Sequence, residues 1–221
     1  MGYPEMNQAA VNYYQYTGDA QRQAIVQNVF AYPRPSIDAF SNALTALGRM
    51  TPLVQEAIEK AHDITNNYDF IWYIAGPLTG MSDTVKRRYE QAAEACVQSS
   101  TADTRVFGYA PHLHGTDPVK HPDVDKDEVR DIDDLWARIV PQGHLNFWQP
   151  TAHGNAVEAG WGELTDIPTL YIMPEAFRPS RLVGGMHNAI GALGYEDFSK
   201  DGYDQLTTFL GRVAELHTKN V

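Results

Sequence analysis

The chain has 221 residues and a mass of 24.7 kDa, with 43% hydrophobic and 20% charged residues, a length that allows one domain or one domain plus a small extension. A formal net charge of −11 and a single cysteine, Cys96, exclude a concentrated cationic face for a nucleic-acid polymer, an internal disulfide framework and a multi-cysteine metal centre. No stretch approaches the ~20 apolar residues of a membrane span, and the first residues lack a basic region followed by an apolar run, so a soluble, cytoplasmic protein without a membrane partner is expected.

In chain order, residues 1–67 give helical signals only. Ile25, Val26, Val29 and Phe30 form a short apolar stripe that ends at Pro33 and Pro35. Ile37, Phe40, Leu44 and Leu47 recur at 3–4–3 spacing, with Ser36 as N-cap and Gly48 as stop. Thr51-Pro52 opens a third helix carrying Val54, Ile58 and Ala61, with proline at its favoured first position. These helices read as a cap or oligomerisation element packed on the rest. From Tyr68 onward strands and helices alternate. Phe70–Ala75 is a continuously apolar strand, as expected for one buried on both faces. A helix with Val85, Tyr89, Ala92, Ala93 and Cys96 on one face follows, then a strand over Arg105–Ala110. A charged helix carries Val129, Ile132, Trp136 and Ile139. Next come a strand over His144–Gln149, a short helix from Asn155 to about Leu164, a strand over Thr169–Met173 and a last helix with Leu206, Leu210 and Val213. This alternation predicts a doubly wound parallel α/β sheet over 68–221, preceded by a helical extension over 1–67.

In such a sheet a site lies beyond the carboxyl ends of the strands. Gly76-Pro77 ends the first strand and reads either as an ordinary turn or as a place where backbone approaches a ligand. The Gly-x-Gly-x-x-Gly spacing of a nicotinamide-binding turn is absent. After the third strand, His153-Gly154-Asn155-Ala156-Val157-Glu158-Ala159-Gly160 opens a helix. If Asn155 is the N-cap, Glu158 either folds back onto it as a capping box or points into the cleft from the first turn, where the helix dipole favours its ionised form. An ionised carboxylate there suits attack on an anomeric carbon.

Tyr-Ile-Ala-Gly-Pro-Leu at the first strand end, an Asp-bearing helix mid-chain, and Gly-x-x-x-Glu-x-Gly before an apolar strand together resemble the nucleoside 2-deoxyribosyltransferase family, which includes the deoxynucleoside 5'-monophosphate N-glycosidases. The resemblance covers about residues 70–190. It implies a flavodoxin-like sheet, a homo-oligomer, and a small-molecule nucleoside or nucleotide as partner, with no metal or organic cofactor. It also implies Glu158 as nucleophile, Tyr73 as the tyrosine that orients it, Asp131 as the aspartate that contacts the nucleobase, and Asn188 as an asparagine reaching a neighbour's site. Helical projection puts Asp131 on one border of its apolar stripe and Asp133 on the other. The family's usual aspartate six residues before the nucleophile is replaced by Ala152.

His112, His114 and His121 share one loop with Lys120. His-x-His on an irregular loop matches no recurring zinc signature, so contact of His112 and His114 with a base or 5'-phosphate is the functional reading and a solvated loop the plain one. Gly184-Gly185 with Arg181 reads as a phosphate approach or a turn, and Trp136, Trp148 and Trp161 read as core. The activity expected is cleavage of a deoxyribosyl N-glycosidic bond with transfer to another base or to water, with Gly76, Pro77, His112, His114, Gly154, Asn155 and Asn188 as binding residues. The alternatives are a non-catalytic nucleotide-binding protein and a glycohydrolase acting on NAD or a ribonucleotide.

Overall fold

The computed structural model describes residues 36–78, 80–114, 117, 122–148, 153–165, 167–173, 188–194 and 200–220. The stripe Ile25–Phe30, Gln149, Ala152, Lys120, His121, Arg181 and Gly184-Gly185 lie outside them. Helix α1 (Ile37–Ala46) begins at Ser36, whose hydroxyl accepts from the Ala39 amide, and stops at Gly48, whose φ of 68° a side chain would disfavour. Helix α2 (Pro52–Asn67) is capped by Thr51 and has Pro52 at its first position. Strand β1 (Phe70–Ala75), helix α3 (Asp83–Gln98), strand β2 (Val106–Tyr109) and a single turn α4 (Pro111–His114) follow. Helix α5 (Lys126–Asp134) starts with a capping box between Asp125 and Glu128 and runs into a π turn over Leu135–Ile139. Strand β3 (Gly143–Phe147), helix α6 (His153–Leu164), strands β4 (Thr169–Met173) and β5 (Ala189–Gly194), and helix α7 (Lys200–Asn220) complete the described chain.

The five strands form one parallel sheet in the order β2-β1-β3-β4-β5, so that every strand ends on the same edge. Alternation along β1 divides the core. Phe70, Trp72 and Ile74 pack with Tyr89, Ala92 and Cys96 of α3 and Leu206 and Leu210 of α7. Ile71, Tyr73 and Ala75 pack on the other face with Leu44 of α1, Val54, Ile58 and Ala61 of α2, Ile132 of α5 and Trp136 of the π turn. Helices thus cover both faces, which is why β1 is apolar at all six positions. The segment 37–67 shares this second core with the strands. Cys96 is buried in the first core, where its thiol pKa is raised by burial, and its Sγ lies within 3.0 Å of the place a Cβ on Gly108 would occupy.

Among the described residues no helix is long and apolar enough to cross a membrane. Two strand boundaries differ slightly from expectation: β2 is Val106–Tyr109 and β3 begins at Gly143. The larger difference is at α6. It begins at His153, so Asn155 is its third residue and not its N-cap, and Glu158 lies in the second turn.

Candidate functional site

Tyr73 is the fourth residue of β1 and points to the α5–α6 face of the sheet. Its hydroxyl donates to Glu158 Oε1 at 2.5 Å. The capping-box expectation for Glu158 is therefore corrected, since the carboxyl group reaches across to the sheet and not back to the Asn155 amide. The dipole expectation is corrected as well. The favourable field of a helix N-terminus fades within the first turn, and burial pushes the Glu158 pKa up to about 8. The Tyr73 hydrogen bond opposes this rise, the Asp133 charge adds to it, and the neighbouring Asn155 amide opposes it. The Tyr73 phenol is raised well above its ordinary value, first by burial and then by Glu158.

Around this pair the sheet supplies an aromatic wall. Tyr109 of β2 stacks on Trp136 with ring centroids 3.8 Å apart and lies parallel to Tyr73 at 6.1 Å. Its hydroxyl is buried with no hydrogen-bond partner among the described residues, and burial and then Asp133 raise its pKa. Tyr89 of α3 donates from its hydroxyl to the Pro77 carbonyl at 3.0 Å, and burial raises its pKa, with the Glu158 charge adding to the rise. A Cβ on Gly76 would meet the Tyr89 ring at 2.7 Å. The backbone approach expected at Gly76-Pro77 is thus made to Tyr89, with no side chain at Gly76 to hold the ring away.

The second carboxylate near Glu158 is Asp133. Its charge acts on Glu158, Tyr73 and Tyr109 together. Asp131, which the resemblance matched to the base-contacting aspartate, is instead tied to Arg49, which follows α1, and its side chain is only 6% exposed. Burial raises the Asp131 pKa against the opposing pull of that guanidinium. The two aspartates are two residues apart on a helix and so face roughly opposite ways.

Other expected residues scatter. His112 is buried with its ring edge on Tyr89 and Nε2 3.4 Å from Glu90, whereas His114 packs on Tyr109 with Nδ1 3.1 Å from Lys60 Nζ. Burial, Lys60 and His112 push the His114 pKa down to about 4, leaving it neutral at physiological pH. The two histidines do not converge. Among the described residues no group of three or more His, Cys, Asp or Glu side chains is arranged to hold a metal ion. Asn188 is held within its own chain. It is buried at the amino edge of β5, its amide donating to the Ile167 carbonyl and to Thr169 Oγ1. Gly154 is exposed, with nothing within 4 Å of a Cβ placed there.

Three features carry no strong sequence signal. Asn146 of β3 accepts at 2.9 Å from Asn155; a polar residue inside an apolar strand was the available clue. Lys86 and Asp117 form a buried ion pair with Nζ 2.9 and 3.0 Å from the two carboxylate oxygens, joining α3 to the loop after α4. His144 donates from Nε2 to the Ala137 carbonyl in the π turn at 2.6 Å, its pKa pushed down to about 4 by burial.

No family model matches the chain, and no curated protein or solved structure matches it significantly.

Proposed function

We propose that the protein cleaves the N-glycosidic bond of a 2'-deoxyribonucleoside or its 5'-monophosphate, with Glu158 as nucleophile. The observation that carries this reading is the buried Tyr73 hydroxyl hydrogen-bonded to the half-buried Glu158 carboxyl group. The strand order 2-1-3-4-5 supports it, since that is the order of flavodoxin-like sheets. So does the resemblance of Tyr73–Leu78 and Gly154–Gly160 to the deoxyribosyltransferase family.

In this reaction Glu158 Oε attacks C1' while the C1'–N bond breaks and its electrons leave with the base, which takes up a proton. The resulting deoxyribosyl ester is released when water or a second base attacks C1', returning the carboxylate. The transition state carries positive charge at C1', and a deoxyribose develops that charge more readily for want of a 2'-hydroxyl. A half-buried carboxylate held by one phenol meets the charge with less of a hydration shell to strip. The substrate's developing cation also replaces the missing counter-charge that keeps Glu158 hard to ionise.

The test is a panel of deoxyribonucleosides, their 5'-monophosphates, ribonucleosides and NAD, each incubated with the protein and analysed chromatographically for free base. Release from a deoxy compound is expected, together with a covalent adduct in the intact-protein mass spectrum. Glu158→Gln should lose turnover by on the order of 10³-fold or more while still binding. Binding without turnover in the unaltered protein, or unchanged turnover in Glu158→Gln, overturns the proposal.

A further inference from the structure

We propose that His144 is the positioning residue that brings the Tyr73 hydroxyl and Glu158 together, as the side chain on which β1, the π turn and α6 all close. The inference rests on the reading of Glu158 as the reacting group and adds to it a residue that acts through Tyr73 and α6.

The sequence leaves the Ala137 carbonyl without a helical partner. Its α-helical donor would be residue 141, a proline with no N–H, and its π-helical donor would be Gln142, whose amide goes to the Ile71 carbonyl at 2.9 Å. His144 supplies the donor instead, with Nε2 2.6 Å from that oxygen. Burial keeps the imidazole neutral, and a neutral imidazole has one N–H, so Nδ1 bears a lone pair. π turns are rare and short. This one is tied from outside to β3, and with it Trp136, which stacks on Tyr109.

His144 pairs with Tyr73 across β3 and β1, and Tyr73 pairs with Tyr109 across β1 and β2. The three rings form a row, with the His144 and Tyr109 centroids 5.4 Å and 6.1 Å from that of Tyr73. His144 therefore closes one side of the phenol and Tyr109 the other. The imidazole also meets α6. A Cβ on Gly162 would lie 3.0 Å from His144 Nδ1, and Gly162 is four residues after Glu158, on the same side of the helix. The depth of α6 over the sheet is thus set at His144, one turn from the carboxyl group that accepts from Tyr73 at 2.5 Å. His144 Nδ1 is buried with no hydrogen-bond partner among the described residues, and an unpartnered buried acceptor is destabilising. A side chain serving packing alone would be apolar here. What the imidazole supplies is a donor to the π turn in a flat ring that fits between Tyr73 and Gly162.

The experiment reads the Tyr73–Glu158 bond and needs no substrate. The full chain is labelled with ¹³Cζ-tyrosine, and the Tyr73 resonance is identified by its loss in Tyr73→Phe. The signal is how far that resonance moves on Glu158→Gln, recorded above the Glu158 midpoint of about 8. Hydrogen bonds weaken steeply with distance and misalignment, so the movement should fall to about half or less in a His144→Leu background, which removes both donor and ring. His144→Gln, whose amide N–H reaches about as far as the imidazole Nε2, should restore most of it. Gly162→Ala keeps His144, adds one methyl group at its contact with α6, and should also reduce the movement. Leu145→Ala opens a cavity on the opposite face of β3 and should leave the movement whole. A full movement in folded His144→Leu or in Gly162→Ala, no recovery in His144→Gln, or an equal loss in Leu145→Ala overturns the assignment. Should His144→Leu fail to fold, the other three variants decide it. Movements as expected without any glycosidic turnover would leave His144 in its role and remove the proposed reaction.

Discussion

A carboxyl group buried beside a phenol resists losing its proton, and the consequences for Glu158 are measurable in two ways. As a nucleophile it acts ionised, so the rate should rise with pH and level off above about 8; a rate that falls through that range would mark the group as a proton donor and end the nucleophilic mechanism. Folding responds with the opposite slope. Between the ordinary carboxyl value of 4.5 and about 8 the unfolded chain is ionised at this position while the folded one keeps its proton. The folded state therefore binds more protons, and stability declines as pH rises through that window. Glu158→Gln removes the term, so its melting temperature should exceed that of the unaltered protein at pH 9, with the gap closing by pH 5. Tyr73→Phe removes the donor at 2.5 Å and leaves the ring in the core. Turnover should fall by about 10–100-fold with the rate plateau reached at higher pH, the cost expected for one hydrogen bond to a charged group.

Elements decide which residues meet. The expectation for Asp131 came from projecting α5 at 100° per residue using Ile132, Leu135 and Ile139. Leu135–Ile139 is a π turn, which packs more residues into each turn than an α-helix, so a projection drawn through it misplaces the border. Asp133 shares its field with Glu158, and Asp131 closes on Arg49. Arg49→Ala leaves the buried Asp131 with only the half-exposed Arg130 guanidinium at 3.4 Å, and should cost about 2 kcal/mol in urea unfolding; Arg49→Met with Asp131→Leu should recover most of it. Caps and periodicity were legible where one residue decides them: Ser36, Thr51-Pro52, Gly48 and the apolar run of β1 appear as expected. The start of α6 was not legible, because His153-Gly154 has no start signal and Asn155 offers a false one two residues later. The Tyr73–Glu158 contact was legible only through the family resemblance, since it joins residues 85 positions apart. Gly76 was read as a turn or a ligand approach and is also a packing site: Gly76→Ala should destabilise by about 1–3 kcal/mol through the Tyr89 ring.

For the molecule as a whole, the first two described helices belong to the core that holds Tyr73. Val54, Ile58 and Ala61 of α2 pack with Ile71, Tyr73 and Trp136. A chain shortened to begin at residue 68 should expose that face and be recovered as aggregate or as an incompletely packed state without a cooperative thermal transition. A shortened chain that melts cooperatively would show the segment to be dispensable. The only thiol in the sequence offers a way to watch such opening. Cys96 is sealed between α3 and the backbone of β2 at Gly108, so an alkylating reagent meets it only when α3 lifts from the sheet. Reaction rate then counts opening events, and a mass-resolved alkylation series makes Cys96 an internal reporter of how often the closed sandwich comes apart.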